Sequence, residues 1–439
     1  MRLQIALTEK STSSCNLESF PMSSALPPYA VMTRSWAPLK PLLAGLLVTL
    51  AQLAMAVSLL APEGSLSYRY ATLVQHDSYW FMNIVDRGYE TIVPPINHKV
   101  MEVSNVAFFP AYPAIAAVFR YGLQIDTAYA LLITAQLAAW GFWSYFFLFC
   151  KRWNVAPTLQ FFGGLLVVAH PAAFFLIAGY SESLFLMALL GFIYWSSAEG
   201  RAAKIWAGLH GIVMSATRIV GIVCAAFPVI CSISATGRRG LRQPRGWFRQ
   251  HVSAIALMFV AALGALAFFV YCQARWGHWD IYMLTQAAGW GIVPDYLAVL
   301  KPSSYHWLLP ALNNPTEASQ MSTSFGALLI LAIAICELLP AMRRLADWPT
   351  RVGLYFCAAV IYYVSVSGVA SVDMESMLRY EFCVHALIVL AVLNFLGQLH
   401  KSPVFLRAAG MAAAVLVSAV GLSVQGWYVW NFTRGNWVA

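Results

Sequence analysis

Two carboxylates and two arginines stand in strongly apolar surroundings, where charged side chains need a reason to be. They are Asp77, Glu182, Arg218 and Arg379. A carboxylate can take the proton of an attacking hydroxyl as a general base. A guanidinium binds phosphate oxygens in a two-point fork. These residue types could therefore serve a transfer reaction that starts from a phosphate.

Each of the four side chains also has a structural interpretation, and the sequence leaves both open. Asp77 could cap the helix that it starts, since Asp is a favoured N-cap residue. Glu182 could be a solvated turn residue. Arg218 could extend from a helix end to the headgroups, and Arg379 could be an interfacial anchor.

The elements that must position these side chains are membrane helices. The chain has 439 residues, of which 60% are hydrophobic and only 10% are charged. Apolar stretches long enough to cross a bilayer recur along it, which predicts a polytopic membrane protein. The eight cysteines lie mostly inside these stretches, without the paired spacing of a disulfide framework or a zinc site.

Hydropathy predicts nine full spans, and basic residues in the short loops orient them. The predicted spans are 41–61, 127–150, 157–176, 183–198, 253–272, 323–341, 351–369, 381–399 and 403–425. Loops rich in Lys and Arg remain cytoplasmic. The net charge of +9 is explained by this asymmetry, so that nucleic-acid binding need not be invoked.

Segment 206–235 is flanked by basic loops on both sides but is too short for two full crossings. We therefore predict a re-entrant hairpin whose tip is "ATRIVG", with Arg218 facing a cavity. Two tilted spans are the alternative.

The largest non-cytoplasmic segment, 62–126, is predicted to lie along the interface. A helix starting near Asp77 would place one face among the lipid headgroups, formed by Phe81, Ile84, Val85 and Tyr89. The prolines of "NVAFFPAYPAIAAVF" are expected to break any helix there.

The N-terminal segment, 1–35, is polar and Ser-rich and is predicted to be disordered. It lacks the order of a cleaved signal peptide. Met32 is an alternative start of translation. The rest, 36–439, is predicted to form one transmembrane domain.

The motifs occur in a characteristic order. "HDSYWFMNIVDRGY", "FFPAYP", "HPAAFFLIAGYSESLF", "ATRIVG", "RWGHWDIYMLTQAAGW" and "LRYE" follow one another over roughly residues 40 to 400. This series resembles the PIG-V-like mannosyltransferases, the family of the second mannosyltransferase of GPI-anchor synthesis and its bacterial relatives. Two positions differ, since His76 stands where the family usually has Trp and His170 where it usually has Asn.

The resemblance implies an all-α, GT-C-like helical bundle that moves mannose, with inversion, from polyprenyl-phosphate-mannose to a lipid-linked or surface glycan. It gives Asp77 the role of catalytic carboxylate. The substrate-binding candidates that accompany it are His76, Tyr180, Glu182, Arg218, Gln286, Trp290, Arg379 and Tyr380. Neither a cofactor nor a metal ligand set is predicted, and each histidine is interpreted mainly as a packing substitution.

Two other classes of function compete with the enzyme. A transporter or flippase for a lipid-linked or anionic substrate would share intramembrane charge, but no internal repeat is found. A structural subunit would not need these polar residues on one side.

A bacterial plasma membrane is favoured over the endoplasmic reticulum, with the site on the periplasmic or luminal side.

Overall fold

The computed structural model describes residues 39–91, 104–236, 244–310, 314–343, 347–398 and 404–438. The predicted disordered segment 1–35 lies outside the described residues. Over the described ranges every regular element is a helix, which confirms the all-α fold class.

Seventeen α-helices follow one another along the described chain. They are α1 Leu39–Ala54, α2 Leu66–Ala71, α3 Asp77–Arg87, α4 Ala111–Gly122, α5 Thr127–Arg152, α6 Pro157–Val168, α7 Glu182–Ser196, α8 Arg201–Thr217, α9 Gly221–Cys224, α10 Phe227–Thr236, α11 Pro244–Trp276, α12 Ile281–Trp290, α13 Pro315–Leu338, α14 Pro340–Arg343, α15 Trp348–Val369, α16 Met377–Gln398 and α17 Val404–Phe432. Helix α1 continues as a π-helical turn, Met55–Leu60.

Within the described ranges, seven helices are long and apolar enough to cross a membrane. They are Leu39–Leu60, Thr127–Arg152, His251–Trp276, Pro315–Leu338, Trp348–Val372, Met377–Gly397 and Ala408–Phe432. Each corresponds to one of the nine predicted spans, and the protein is an integral, multi-pass membrane protein.

The other two predicted spans, 157–176 and 183–198, form shorter helices. Helix α6 has only 12 residues, about 18 Å of helix against a hydrocarbon core of about 30 Å. It ends before Pro171, since the residue preceding a proline is disfavoured in the helical conformation. Hydropathy alone joined α6 to the apolar residues that follow it.

Those residues belong to an almost fully buried segment, 169–181, which is irregular apart from one 3₁₀ turn, Ala173–Leu176, and which we call the buried loop. Irregular backbone inside a membrane protein must find partners for its polar groups. Three glutamine side chains from other helices supply them. Gln52 donates to the Ala173 carbonyl at 3.2 Å, Gln425 to that of His170 at 2.6 Å, and Gln136 to that of Ile177 at 3.4 Å. The buried loop is thus fixed where it enters α7.

The segment around Arg218 turns back on itself. Helix α8 ends at Thr217, Arg218 is extended, and α9 and α10 return. Gly221 permits the tight return, because an added Cβ there would lie 2.7 Å from the Met214 carbonyl oxygen. This geometry agrees with a hairpin that carries Arg218 at its tip.

Two expectations about the 62–126 segment are wrong. Phe81, Ile84 and Val85 are buried in the protein instead of facing headgroups, and Phe81 packs edge-on against Tyr112 with ring centroids 4.8 Å apart. The prolines do not prevent a helix either. Pro110 is the N-cap of α4 and Pro113 lies in its first turn, where a missing N–H costs no intrahelical hydrogen bond.

Candidate active site

Asp77 and Arg379 form a close ion pair across the fold. Asp77 is the first residue of α3, and Arg379 lies in the first turn of α16. Arg379 Nη1 donates to Asp77 Oδ2 at 2.7 Å, while Nη2 donates to Ser376 Oγ at 2.8 Å. The N-cap position belongs to His76, whose side chain makes no capping bond. The Asp77 carboxylate is therefore used in a tertiary contact.

Glu182 joins the second arginine to this pair. Its Oε1 lies 3.3 Å from Arg218 Nη1 and 3.8 Å from Arg379 Nη1. The Glu182 side chain is only 1% exposed, and buried charges are tolerated when they are paired. Its position at the start of α7 also places the carboxylate at the positive end of the helix dipole. Two carboxylates and two guanidiniums thus form one compensated cluster.

Tyrosine rings pack against both arginines. The Arg218 guanidinium lies 4.8 Å from the ring centroid of Tyr380, and that of Arg379 lies 5.1 Å from the ring of Tyr180. Burial raises the pKa of Tyr180 well above its usual value, so the hydroxyl remains protonated. Among the residues described, no acceptor takes this proton. Tyr180 can therefore donate to a ligand.

A cavity of about 420 Å³ opens onto this cluster. Seven of the nine residues predicted from the sequence line it: Asp77, Tyr180, Glu182, Arg218, Gln286, Arg379 and Tyr380. The rest of the wall is mainly apolar, with side chains from α15 and from the segment after α12. The cavity therefore combines a charged end with a surface suited to a hydrocarbon chain.

The other two predicted residues do not line this cavity. Trp290 packs against Trp80 and Phe108, with ring centroids 5.4 and 5.7 Å away, and of these residues Phe108 lines the cavity. His76 points to the residues after α17, where its Nε2 lies 3.1 Å from the Asn436 carbonyl oxygen.

The chain after α17 also reaches the site, which the sequence analysis missed. The Trp437 ring lies edge-on to His76 at 5.0 Å between centroids and 5.7 Å from the Arg379 guanidinium. Phe432, the last residue of α17, is fully buried and contacts Tyr180. The aromatic residues of the segment 427–437 are visible in the sequence, but the return of this segment to residue 76 is not.

No protein-family model matches the chain, and no curated protein sequence matches it. Solved structures do. The oligosaccharyltransferase AglB of Archaeoglobus fulgidus, in complex with an inhibitory peptide and a dolichol-phosphate, superposes over 90% of this chain with a TM-score of 0.50 and 11% identity. The protein has a GT-C-like fold.

An Archaeoglobus fulgidus oligosaccharyltransferase tethered with an acceptor peptide containing the NVT sequon matches equally well, with 91% of this chain covered, a TM-score of 0.50 and 11% identity. The chain spans only 56% of the length of the oligosaccharyltransferase chain in both structures. ArnT from Cupriavidus metallidurans, bound to undecaprenyl phosphate, gives a TM-score of 0.48 at 14% identity, over 94% of this chain and 76% of its own.

Proposed function

We propose that this protein is a PIG-V-like membrane mannosyltransferase. It moves mannose from a polyprenyl-phosphate-mannose donor to a lipid-linked or surface glycan acceptor, with inversion at the anomeric carbon. The observation that carries the proposal is the cluster of Asp77, Glu182, Arg218 and Arg379 at one end of a cavity whose remaining walls are apolar. A lipid donor with a charged head needs both surfaces.

In this proposal Arg379 and Arg218 bind the phosphate of the donor. Their guanidiniums are joined through one Glu182 oxygen, so a phosphate between them would meet two cations at once. Electrostatic stabilisation of this kind acts where charge develops in the transition state. Because Arg379 also binds Asp77, the donor phosphate would compete with Asp77 for the same guanidinium. Donor binding would thereby release the carboxylate for catalysis.

Asp77 then acts as the general base. It takes the proton of the acceptor hydroxyl while the hydroxyl oxygen attacks the anomeric carbon of the donor. The bond from that carbon to the phosphate oxygen breaks, and the electron pair leaves with polyprenyl phosphate, whose added charge the two arginines stabilise. A single displacement of this kind needs only one carboxylate base and inverts the configuration.

The remaining candidates surround the sugar in this proposal. Tyr180 and Gln286 line the cavity with hydrogen-bonding groups, and Tyr380 holds the plane of Arg218. Trp290 would support the sugar pocket through Phe108. His76, directed to Asn436, would shape the acceptor side. The site would face the periplasm in a bacterial plasma membrane, or the lumen in an endoplasmic reticulum membrane.

The proposal is tested by transfer of labelled mannose. Purified protein in lipid nanodiscs is mixed with polyprenyl-phosphate-[³H]mannose and a lipid extract of the host membrane. We expect labelled glycolipid or glycan to appear together with free polyprenyl phosphate. Release of free mannose alone, or no consumption of the donor over a panel of extracts, would contradict a transferase. Lipid analysis of a deletion strain then identifies the acceptor.

A further inference from the structure

A second polar cluster lies in the protein interior and takes no part in the proposed transfer. It consists of His170 from the buried loop and of Glu381 and His385 from α16. All three residues are buried, with 7%, 1% and 8% of their surface exposed. Glu381 and His385 are four residues apart and share one face of the helix. His170 is brought to them from more than 200 positions earlier in the chain.

The hydrogen bonds of the cluster leave two acceptors without donors. The Leu166 carbonyl, 3.3 Å from His385 Nε2, can only accept a hydrogen bond, so Nε2 carries the proton and Nδ1 a lone pair. Neither His385 Nδ1 nor Glu381 Oε1 has a hydrogen-bond partner among the described residues. Buried acceptors without donors are destabilising. A bound cation would satisfy both.

We propose that His170, Glu381 and His385 form a binding site for a divalent transition-metal ion such as Zn²⁺. Their candidate ligand atoms already lie within 4.8 Å of one another. A metal at its usual distance from nitrogen and oxygen ligands places such atoms about 3.4 Å apart, so only small shifts are required. Two imidazoles and one carboxylate are a known zinc ligand set. The bond from His385 Nε2 to Leu166 is the outer-shell contact that commonly orients a metal-binding histidine.

His170 must change partners when it joins the metal. Its Nδ1 accepts the backbone N–H of Ala172 at 3.1 Å, and its Nε2 therefore donates to Glu381 Oε2 at 2.6 Å. Binding the ion through Nε2 moves the ring proton to Nδ1 and gives up the bond to Ala172. Two hydrogen bonds, from Ala172 and to Glu381, are thus exchanged for bonds of His170 and Glu381 to the metal. The ion would tie the buried loop, which leads to Glu182, to the helix that carries Arg379.

The metal content of the intact protein tests this site directly. The protein is purified without chelators and analysed by mass spectrometry for metals, then stripped and titrated with Co²⁺. We expect about one ion per chain and the strong visible absorption of Co²⁺ in a site of low coordination number. Much less than one metal ion per chain, or a Co²⁺ spectrum like that of the aqueous ion, would contradict the proposal.

Variants assign the ligands. Glu381→Gln and His385→Gln keep the size of each side chain and should lower the affinity for Co²⁺ at least about tenfold. His210→Gln is the matched control, because His210 is a partly buried histidine bonded to Tyr145 in another region. Unchanged affinity in both ligand variants would overturn the assignment. If either variant fails to fold, the metal content and the Co²⁺ spectrum of the wild-type protein still decide whether the site binds a metal.

Discussion

Asp77 and the donor phosphate compete for Arg379 in the proposed mechanism, and this competition separates a catalytic aspartate from a structural one. An aspartate that only anchored Arg379 could be replaced by any group that accepts the same hydrogen bond. A general base could not be replaced in this way, because it must also take a proton. Asn keeps the shape of Asp and one acceptor oxygen for Arg379 Nη1, but it cannot take the acceptor proton.

We therefore expect Asp77→Asn to bind donor and to lose transfer. The rate should fall about a hundredfold to ten-thousandfold, the usual effect of removing a general base. Mannose transfer and donor binding are measured separately on the purified variant. Asp86→Asn serves as the control, since Asp86 lies on the same helix and accepts a bond from Thr127. Retention of more than about a tenth of the wild-type rate would return Asp77 to a structural role.

Arg379→Lys should weaken donor binding at least about tenfold. Lysine keeps the positive charge but not the planar fork with which Arg379 contacts Asp77 and Ser376. The dissociation constant for a polyprenyl phosphate is the measurement. Arg69→Lys is the control, because Arg69 donates to the Ser58 carbonyl, and it should leave the dissociation constant unchanged. Equal donor affinity in both variants would exclude Arg379 as a phosphate ligand.

The buried loop depends on side chains from distant helices. Gln52 has both ends occupied, because its Nε2 donates to Ala173 and its Oε1 accepts from Trp143 Nε1 at 2.9 Å. Gln52→Met keeps the volume, removes both hydrogen bonds and leaves the buried Trp143 Nε1–H without its acceptor, at a cost of about 1–3 kcal/mol. We expect a clear fall in the thermal unfolding temperature in detergent. Exposed Gln273, changed in the same way, should show little effect.

The tail after α17 should act on the site without carrying the fold. Trp437 lies over Arg379, and a cation–π contact of this type is worth about 0.5–2 kcal/mol, or about two- to thirtyfold in binding. Trp437→Ala is expected to weaken donor binding by about two- to thirtyfold. Trp437→Phe, which keeps an aromatic ring, should retain most of the wild-type donor affinity. Trp430→Ala is the control, because Trp430 lies in the last turn of α17 and its ring contacts Arg434. A fall in unfolding temperature without a binding change in Trp437→Ala would contradict a role at the site.

Hydropathy predicted the seven long helices correctly because a helix in lipid must satisfy its own backbone and be apolar throughout. It failed where another part of the protein supplies the partners. The buried loop is apolar in sequence, and hydropathy therefore assigns it to a span. It does not need to be helical, because glutamines that are 41 to 255 residues away bond its backbone carbonyls. The face of α3 was likewise assigned to lipid because an apolar side chain such as Phe81 is compatible with either environment.

The candidate site was predictable in its charged members and not in its surroundings. Asp77, Glu182, Arg218 and Arg379 stand out because a charge in an apolar segment is costly unless it is paired. The sequence does not reveal which pairs form, and the contact of Asp77 with Arg379 spans 302 positions. The histidines gave no local ligand pattern with each other, and His170 meets Glu381 only in the folded chain.

At the scale of the whole molecule, the charged cluster lies at one end of the cavity, and a GT-C-like bundle surrounds both. A transferase needs both substrates to reach this site from one side of the membrane and to leave from the same side. A transporter or flippase must instead move its substrate from one face to the other. The two functions therefore differ in what crosses the bilayer.

We expect sealed liposomes that contain the protein to transfer mannose without transporting it. Polyprenyl-phosphate-[³H]mannose in the outer leaflet should be consumed only by molecules whose site faces outward, so that about half of a randomly oriented population reacts until the membrane is opened with detergent. Protein-free liposomes control for spontaneous donor movement across the bilayer. The sealed vesicles are then assayed for labelled donor protected from an external phosphodiesterase. One-sided reaction is the expected result, because the charged cluster that would bind the donor lies at one end of the cavity of about 420 Å³. Protection of the donor without any labelled product would favour the flippase and remove the basis for assigning Asp77 as a base.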